Sequence, residues 1–445
     1  MRNQQSNILF ICSDQHQTMA PGCYGHSEVH TPNIDRIAAA SVRFNRTYCQ
    51  SPVCVPARGS IITGQYPHEH GARILQDALP ADACTIAHHF GKHGYQTAAI
   101  GKMHFVDETQ KHGFDYRLEL GDFRKTLTGS EWQELRRDQS GGGIIGRPSR
   151  LSSRYFQDTY YANETVRYLR EKRDPDKPFI LWSSYFMPHT PLVPMLEYFN
   201  LYNPKTLTLP ERSDNALKTG FEGHLIRAKQ RGWYDQTDEE LRYALAGYYG
   251  NISQMDACVG KVLDTLYDLD LGQNTIILYT SDHGEMAGAH RMWTKHNMYE
   301  QSVCVPLIVR LPDDRDAGTV QDHLIEHLDL YPTLAELCNL PAPKNIQGRS
   351  FAPLLCNETY EPREYVYSEY DFCHSVFTQD DRCVGKPPIL MVRTDRWKLN
   401  YLSWERSELF DLEKDPNEFT NVVDELGNAW IVRKLTEIAE RMYSL

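Results

Sequence analysis

The residues around Cys54 form a setting that favours chemistry on an anion. They read Ser51-Pro-Val-Cys54-Val-Pro56-Ala-Arg58, and Gly64 follows a short apolar run. Pro56 suits the first turn of a helix and Gly64 suits its end, so Cys54 is predicted at or just before a helix N-terminus. Free backbone N–H groups and the helix dipole favour a negative charge there. The alternative from these residues alone is an inert buried cysteine in a capping loop.

Polar side chains also follow four predicted strands, at the points where the strands end. The four stretches are Ser13-Asp14-Gln15, Gly101-Lys102-Met-His104, Met187-Pro-His189 and Thr280-Ser281-Asp282-His283. Ligands of open α/β sheets bind at the carboxyl ends of the strands, so these stretches should meet in one site. Asp14 alone would more often be a turn residue. Beside Asp282 and His283 it is better interpreted as a metal ligand, and carboxylate oxygens suit Ca²⁺ or Mg²⁺.

The elements that must position these residues alternate along the chain. Buried strands are predicted at Ile8–Cys12, Thr97–Ile100, Pro178–Trp182, Thr275–Tyr279 and Pro306–Val309. Helices are predicted at Ile34–Ala40, Ile61–Thr63, Asp82–Lys92, Ala162–Lys172, Glu239–Leu269 and Leu330–Leu337. This alternation predicts an α/β fold whose large, mostly parallel sheet is flanked by helices on both faces. Segments 118–158 and 200–236 lack the pattern, and we interpret them as irregular walls of a substrate cleft.

The pattern changes at about residue 364. Short alternating strands are predicted at 365–369, 389–393, 397–401 and 408–412, followed by a helix over Trp430–Met442. We therefore expect two units, a large α/β domain over 1–363 that carries the site and a small α+β subdomain over 364–445. The latter would be an antiparallel sheet closed by one helix.

Composition excludes several classes of function. The 445 residues carry 47 Lys+Arg against 59 Asp+Glu, a net charge of −12, which argues against nucleic acid as a partner. No run of 18 apolar residues is present, so no membrane partner is predicted. Eleven scattered cysteines without a CxxC pair fit free thiols in a reducing compartment. The chain as written is expected to be cytoplasmic, and periplasmic or secreted only if a leader was removed.

A longer series of motifs points to one family. Cys54-x-Pro56-x-Arg58 before a Gly-bounded helix resembles the signature of the type I sulfatases, formylglycine-dependent members of the alkaline phosphatase superfamily. The resemblance covers residues 7–425 and continues through Ser13-Asp14, Thr31-Pro-Asn-Ile-Asp35, Thr63-Gly-Gln-Tyr66, Gly94-Tyr-Gln-Thr97, Gly101-Lys102-Met-His104, Pro188-His189-Thr-Pro191, Thr280-Ser-Asp282-His283-Gly284, Lys295-x3-Tyr299-Glu300, Val305-Pro-Leu307, Asp329-Leu-Tyr-Pro-Thr333 and Leu409-Phe-Asp-Leu-x2-Asp415-Pro-x-Glu418. It implies an alkaline phosphatase-like sandwich and hydrolysis of a sulfate monoester to sulfate and an alcohol.

The resemblance also implies a metal site. Its ligands would be Asp14, Gln15, residue 54, Asp282 and His283, with Ca²⁺ as the expected ion and Mg²⁺ or Mn²⁺ as alternatives. The family usually has a second Asp after the first and an Asn after the later Asp, where this chain has Gln15 and His283. These replacements lower the negative charge of the site and admit a softer ion such as Mn²⁺. They are similar to those of the choline sulfatase and phosphonate monoester hydrolase branch.

Catalytic roles follow from the same resemblance. Cys54 would be oxidised to formylglycine by a maturation enzyme, a partner the chain then requires. One hydroxyl of the hydrated aldehyde would attack sulfur, and the other would expel sulfate after the alcohol has left. Arg58 would steady residue 54 and the metal, Lys102 and Lys295 would hold the sulfate, His104 would contact the diol, and His189 would bind sulfate or help to protonate the leaving group.

The alcohol part of the substrate is less constrained. The resemblance to choline sulfatases implies an aromatic-rich segment after Phe114 that would form a cage for a quaternary ammonium group. That segment is not recognisable here, where the chain reads Gly121-Asp-Phe-Arg-Lys125. We therefore favour a sulfated carbohydrate over choline sulfate, held by polar loop residues such as Arg73, Gln76, Asp77 and Arg124. A phosphonate monoester or phosphodiester hydrolase is the alternative within the superfamily, and an inactive binding protein on the same fold is the alternative from another class. The oligomeric state stays open.

Overall fold

A computed structural model describes residues 5–107, 109–140, 144–371 and 385–444. The strands of this part of the chain are β1 (Asn7–Asp14), β2 (Val42–Tyr48), β3 (Gln96–Gly101), β4 (Tyr116–Leu118), β5 (Phe179–Pro188), β6 (Thr275–Ser281), β7 (Cys304–Arg310), β8 (Thr319–Gln321), β9 (Ile325–Glu326), β10 (Val366–Tyr370), β11 (Ile389–Arg393), β12 (Trp397–Tyr401) and β13 (Glu408–Asp411). The first nine form one large sheet and the last four form a second, smaller one.

The large sheet is mostly parallel, as the alternation of strands and helices predicts. Its order is β4-β3-β5-β1-β6-β7-β2-β8, and β9 also pairs with β2. β7 runs antiparallel to both of its neighbours, β6 and β2, and the other pairings are parallel. The sequence pattern did not predict β2, because Val42–Tyr48 contains two arginines and an asparagine among its seven residues. Only part of that strand is fully buried.

Fifteen α-helices lie in the described ranges. They are α1 (Pro32–Ala39), α2 (Cys54–Thr63), α3 (Pro67–His70), α4 (Ile86–Lys92), α5 (Leu120–Lys125), α6 (Gly129–Gln139), α7 (Gln157–Arg167), α8 (Leu196–Phe199), α9 (Asp214–Thr219), α10 (Glu222–Gln230), α11 (Asp238–Asp268), α12 (Glu300–Val303), α13 (Leu330–Leu337), α14 (Ala352–Leu355) and α15 (Ala429–Tyr443). None of the described helices has both the length and the apolar character needed to cross a membrane.

The core lies on both faces of the large sheet, because its central strand alternates between them. Ile8 and Phe10 of β1 point into a cluster that includes residues of α2, α4 and α13. Leu9 and Ile11 point the other way, into a cluster with residues of α1, α7 and α11. A strand buried on both faces reads as a continuous apolar run, which explains why β1 was predictable from the sequence.

Two segments differ from their prediction as irregular walls. Segment 118–158 contains α5 and α6, and segment 200–236 contains α9 and α10. The sequence pattern does not predict α6 and α10, because few of their residues are buried and the helices therefore lack a broad apolar stripe. Residues 141–143, the glycine run of the first segment, lie outside the described residues.

The C-terminal part forms the small antiparallel sheet that the sequence predicts. Its order is β10-β11-β12-β13, and α15 packs on it through Ile431, Leu435 and Ile438. The boundary at 363/364 between two units stays a prediction.

Candidate active site

The carboxyl ends of four neighbouring strands carry most of the predicted site. β1 ends at Asp14, and β3, β5 and β6 lead directly into Lys102, His189 and Asp282. Gly101, the last residue of β3, has a φ of +109°, and a Cβ there would lie 1.7 Å from the carbonyl oxygen of Ser184. Glycine therefore allows β3 and β5 to approach closely just before Lys102.

Arg58 of α2 connects two of these strand ends. Its Nε donates a hydrogen bond to Asp282 Oδ2 at 2.8 Å, and its Nη2 lies 3.5 Å from Asp14 Oδ2. Its Nη1 donates to Ser184 Oγ at 2.9 Å and to the carbonyl of Lys102. Burial acts to lower the pKa of Arg58, but Asp282 and the other nearby anions outweigh it and raise that pKa. The guanidinium is therefore a fixed positive charge inside the site.

Cys54 is the first residue of α2, at the helix N-terminus. Its Sγ lies 3.2 Å from His283 Nε2, 3.7 Å from Lys102 Nζ and 3.8 Å from Asp14 Oδ1. Burial and Asp14 act to raise the pKa of Cys54, but Lys102, Lys295 and His283 outweigh them and bring it well below its usual value. Position 54 therefore favours a group that carries or develops negative charge.

Four potential metal ligands meet at this position. Donor atoms of Asp14, Cys54, Asp282 and His283 all lie within 4.8 Å of one another, and all four residues are buried. Burial and the charge of Asp14 raise the pKa of Asp282. Burial acts in the same direction on Asp14, but Lys102 and neighbouring groups outweigh it and hold the pKa of Asp14 well below its usual value. Two buried carboxylates with an imidazole form a donor set that fits one divalent cation.

Gln15 follows Asp14 and connects Lys295 to Glu285. Lys295 Nζ donates to Gln15 Oε1, and Gln15 Nε2 donates to Glu285 Oε2. The backbone N–H of Gln15 donates to Asp282 Oδ1 at 3.1 Å. Gln15 therefore positions Lys295 and supports Asp282, while its predicted role as a metal ligand stays a prediction. Glu285 was not predicted from the sequence, although it stands two residues after His283 in the same loop.

Two predicted histidines lie at the same place. Burial and Lys295 lower the pKa of His189 to about 3, and its Nδ1 is 2.7 Å from the carbonyl oxygen of Thr190. The end of β5, just before His189, is held by buried Asp158, which accepts the N–H groups of Phe186 and Met187, each at 2.7 Å. Nδ1 of His104 is buried and has no hydrogen-bond partner among the described residues.

A cavity of about 280 Å³ opens beside Cys54. Its described lining is Cys54, Leu75, His104, Ile144, His189, Thr190, Arg227, Arg231, Trp233, Thr294, Lys295 and His296. Arg227, Arg231 and Trp233 come from α10 and the turn after it, within the segment that was predicted to form a cleft wall. No motif in the sequence singles out these particular residues. No acidic residue is part of the described lining.

Arg73 and Asp77, both predicted to bind substrate, have other partners in this structure. Arg73 Nη2 donates to Tyr443 Oη at 2.8 Å and lies 3.0 Å from Asp371 Oδ2. Asp77 accepts the backbone N–H groups of Arg73 and Ile74 at 2.8 and 3.0 Å. Neither belongs to the described lining of the cavity. Their role in binding substrate stays a prediction.

Two family models match the chain. Residues 6–340 match the family described as Sulfatase, which is more than half of the chain. Residues 288–444 match the family described as N-sulphoglucosamine sulphohydrolase, C-terminal, and so include the small antiparallel sheet.

Known proteins match over nearly the whole chain. An arylsulfatase of Clostridium perfringens (strain 13 / Type A) is 30% identical over 452 residues, covering 94% of this chain and 90% of that protein. A choline-sulfatase of Rhizobium meliloti (strain 1021) is 30% identical over 447 residues, covering 95% of this chain and 83% of that protein. The crystal structure of a phosphonate monoester hydrolase of Agrobacterium radiobacter aligns with a TM-score of 0.85 at 24% identity, covering 99% of this chain and 96% of that chain.

The fold is therefore alkaline phosphatase-like, with a mostly parallel sheet flanked by helices and a small antiparallel sheet. The family match extends across every strand end that contributes to the site. Together these findings show that the chain belongs to the Sulfatase family and is a sulfate ester hydrolase.

Proposed function

We propose that this sulfatase removes sulfate from a sulfated carbohydrate, using a formylglycine made from Cys54 and one divalent ion. The observation that carries the proposal is the lining of the cavity, where Arg227, Arg231 and Lys295 accompany Cys54 and no described residue is acidic. Such a cavity attracts anions. The match to an N-sulphoglucosamine sulphohydrolase C-terminal region supports a sugar as the alcohol part.

The ion is proposed to be Ca²⁺, with Mg²⁺ and Mn²⁺ as alternatives. Asp14, Asp282, His283 and residue 54 would hold it, since their donor atoms lie within 4.8 Å of one another. Carboxylate oxygens favour Ca²⁺, whereas the imidazole of His283 is the ligand that would admit Mn²⁺. When bound, the ion supplies positive charge next to residue 54 and the sulfate.

The side chains around residue 54 supply the remaining positive charge. Lys102 Nζ forms an ion pair with Asp14 and lies 3.7 Å from Cys54 Sγ, so it can contact both the nucleophile and a sulfate oxygen. Lys295 is 5% exposed and lines the cavity, where it can bind a second sulfate oxygen. Charge that passes from the sulfuryl group to its oxygens in the transition state is stabilised by such fixed cations.

His189 and His104 complete the proposed set. The pKa of His189 is lowered to about 3, and its Nδ1 lies 2.7 Å from the Thr190 carbonyl oxygen, so the single proton of the neutral ring lies on Nδ1. Nε2 then carries no proton, and it can donate to sulfate only after a bound anion has raised the pKa of the ring. His104 lines the cavity and has an Nδ1 without a described partner, which leaves it able to contact residue 54. Formylglycine at position 54 supplies a hydrated aldehyde, with one hydroxyl as nucleophile and the other to expel sulfate. The proposal therefore includes a maturation enzyme that oxidises Cys54.

Choline sulfate fits the cavity less well than a sugar. Trp233 is the one aromatic residue, other than histidines, in the described lining, and the Arg227 guanidinium already lies 5.5 Å from the centre of its ring. A quaternary ammonium group would lack a free aromatic face and would be repelled by the arginines. A phosphonate monoester or phosphodiester remains the alternative substrate, because it needs the same positive charges around residue 54. An inactive binding protein is disfavoured, since the charged groups of the site are all present.

A substrate comparison tests the proposal. The aldehyde content at residue 54 is first measured by peptide mass spectrometry. The protein is then assayed with sulfated mono- and disaccharides, choline sulfate, an aryl sulfate and a phosphonate monoester, with Cys54→Ala as the background control. We expect the highest kcat/KM with a sulfated sugar. A higher kcat/KM with the phosphonate ester than with every sulfate ester would establish the alternative instead.

A further inference from the structure

Two arginines of α10, Arg227 and Arg231, line the cavity, and the individual catalytic roles proposed above do not use them. Arg227 lies in the last turn of α10, and Arg231 is the residue that caps this helix. Both belong to the lining that includes Cys54 and Lys295. Among the described residues, no carboxylate lies within ion-pair distance of either guanidinium.

Arg227 is the more unusual of the two because it is only 9% exposed. Its Nη1 donates to the carbonyl of Lys295 at 3.3 Å and its Nη2 to Thr294 Oγ1 at 3.2 Å, while its Nε is buried without a described partner. Burial and Arg231 lower the pKa of Arg227 to about 10, so it still carries its charge at neutral pH. A buried cation with neutral partners only is costly for the fold.

No described acid forms an ion pair with Arg227 that would offset this cost. The carboxylate that acts on Arg227 from a distance is Glu285. Glu285 already accepts hydrogen bonds from Gln15, Ala287 and Thr294. Arg231 adds a second positive charge one turn further along the helix and is itself exposed. Uncompensated cations that line a cavity indicate a site for an anionic ligand.

The backbone holds this pair of arginines in place. Arg231 N–H donates to the Arg227 carbonyl at 3.0 Å and closes the helix. Gly232 follows with a φ of +71°, which reverses the chain, and Trp233 N–H donates back to the Ala228 carbonyl at 2.9 Å. The indole of Trp233 therefore returns to Arg227, whose guanidinium is 5.5 Å from its ring centre. A stacked guanidinium keeps its orientation and its capacity to donate hydrogen bonds.

We propose that Arg227 and Arg231 form a second anion subsite, which binds a carboxylate or an additional sulfate on the alcohol part of the substrate. This inference rests on the proposed function, because it assigns Lys102 and Lys295 to the sulfate that is cleaved. The substrate class is then a sugar with two negative groups, either a sulfated uronic acid or a disulfated sugar. A carboxylate has two oxygens and the tetrahedral sulfate group has three terminal oxygens, so each offers a pair that an arginine can bind through two hydrogen bonds.

The test compares three series of sugars. They are monosulfated neutral hexoses, disulfated hexoses and monosulfated hexuronic acids, each offered as its positional isomers, and the best substrate of each series is compared. We expect kcat/KM to be at least about tenfold higher for one of the doubly charged series, the effect of one charge-assisted hydrogen bond. A preference for the hexuronic acids would identify the second group as a carboxylate, and a preference for the disulfated hexoses would identify it as a sulfate. The preference should shrink as salt is added, because Arg231 is exposed.

Arg231→Gln is the main variant, since an exposed side chain can be replaced without unfolding α10. It should lower kcat/KM about fivefold more for the doubly charged sugar than for the neutral monosulfate, so that the preference falls to about twofold or less. Lys229→Gln is the matched control, because Lys229 is an exposed cation of the same helix that lies outside the described lining. It should keep the full preference. Arg227→Lys retains the charge but not the planar fork, and it should give an intermediate preference.

Two results would overturn the subsite. One is a wild-type enzyme that cleaves neutral monosulfated sugars as well as both doubly charged series. The other is an Arg231→Gln variant that loses activity equally on all three series, as a purely structural role would cause. Both leave a sulfated carbohydrate as the substrate. Failure of the proposed function is distinguishable, since no sulfated sugar, neutral or doubly charged, would then be cleaved faster than the phosphonate ester.

Discussion

The two sides of the cavity differ in how their charges are satisfied. At the strand ends, Asp14, Asp282, Arg58 and Lys102 form a closed set of ion pairs, fully or almost fully buried. On the wall built by α10, Arg227 and Arg231 have no described carboxylate partner. The strand-end side is preorganised for one chemical group, which every sulfate ester presents. The α10 wall carries positive charges without a described carboxylate partner, and a negative group on the alcohol part of a particular substrate can pair with them. The strand-end side therefore serves the chemistry, and the α10 wall serves the choice of substrate.

Cys54→Ala should have the largest effect on the strand-end side. Removal of the nucleophile is expected to lower kcat by at least about 10⁴-fold. The fold should survive, because alanine is a good helix residue at the start of α2 and the change removes only one buried atom. Peptide mass spectrometry of wild-type protein should find the modified residue, and circular dichroism of the variant should match the wild type. Fully active enzyme that contains only the unmodified thiol would contradict the mechanism.

Removal of the divalent ion should come next in size. Chelation is expected to lower kcat by about 10³-fold or more, because the ion supplies several kcal/mol of charge stabilisation. Activity should return with Ca²⁺, and metal analysis should find one ion per chain. Asp282→Asn is the matching variant, since it removes a charged ligand of the four-residue cluster. Undiminished activity in metal-free protein, or a second ion with its own ligands, would count against the single-ion site.

Lys102→Ala tests a single contact of the same side. Lys102 forms an ion pair with Asp14 and lies 3.7 Å from Cys54 Sγ. Loss of one preorganised cation should reduce kcat by roughly 10²-fold on every sulfate ester, because the contact strengthens as charge develops. Lys125→Ala is the control, since Lys125 is exposed and pairs with Asp122 on α5. A loss confined to one type of sugar would move Lys102 from the chemistry to substrate choice.

The strand-end side could be predicted from the sequence because its residues are fixed by simple rules. Asp14, Lys102, His189 and Asp282 each follow a buried apolar run, and parallel strands bring such positions to one edge of the sheet. Cys54 was predictable as a helix start from Pro56 and Gly64. Periodicity could not reveal that β7 is antiparallel to both neighbours, since a fully buried strand has the same apolar pattern in either direction.

The α10 wall could not be predicted residue by residue. α10 has few buried side chains, and two of them, His224 and Arg227, are polar. Without an apolar stripe of helical period, the sequence pattern of α10 is typical of irregular structure. Arg73 and Asp77 were predicted to bind substrate from their charge alone, but in the fold they have partners in the C-terminal part and in their own loop. Charge in a sequence does not distinguish an arginine that has a carboxylate from one that lacks it, and only the packing does.

A buried carboxyl next to the site gives a pH test of the strand-end side. Burial raises the pKa of Asp158 from 3.8 to about 6. The folded state therefore binds this proton more tightly than the unfolded state, and the contribution of Asp158 to stability falls as pH rises through that interval and is constant above it. Two pKa units correspond to at most about 3 kcal/mol. Asp158→Asn cannot titrate, so the difference in unfolding free energy between wild type and variant should decrease from pH 4 to pH 6 and then stay level.

Urea unfolding at several pH values measures this difference. Asn offers one acceptor oxygen where Asp158 offers two, to the N–H groups of Phe186 and Met187, so a pH-independent offset is also expected. A difference that does not change between pH 4 and pH 7 would show that Asp158 is not protonated in the folded state in this interval.

Gly232→Ala should have the smallest effect, and it probes the α10 wall. Gly232 has a φ of +71° with open space around its Cβ position, so alanine would suffer only from the left-handed backbone. That cost is about 1 kcal/mol in the free energy of unfolding. Gly129→Ala is the matched control, because Gly129 starts α6 with equally open space and no positive φ, and alanine there should be neutral or slightly stabilising.

Because the turn at Gly232 returns Trp233 to Arg227, the Gly232→Ala variant should raise KM for a doubly charged sugar a few-fold while kcat for an aryl sulfate stays unchanged. A fall in kcat/KM that is equal for the doubly charged sugar and the aryl sulfate would mean that the two sides of the cavity are not separable. The assignment of chemistry to one side and of substrate choice to the other would then be wrong.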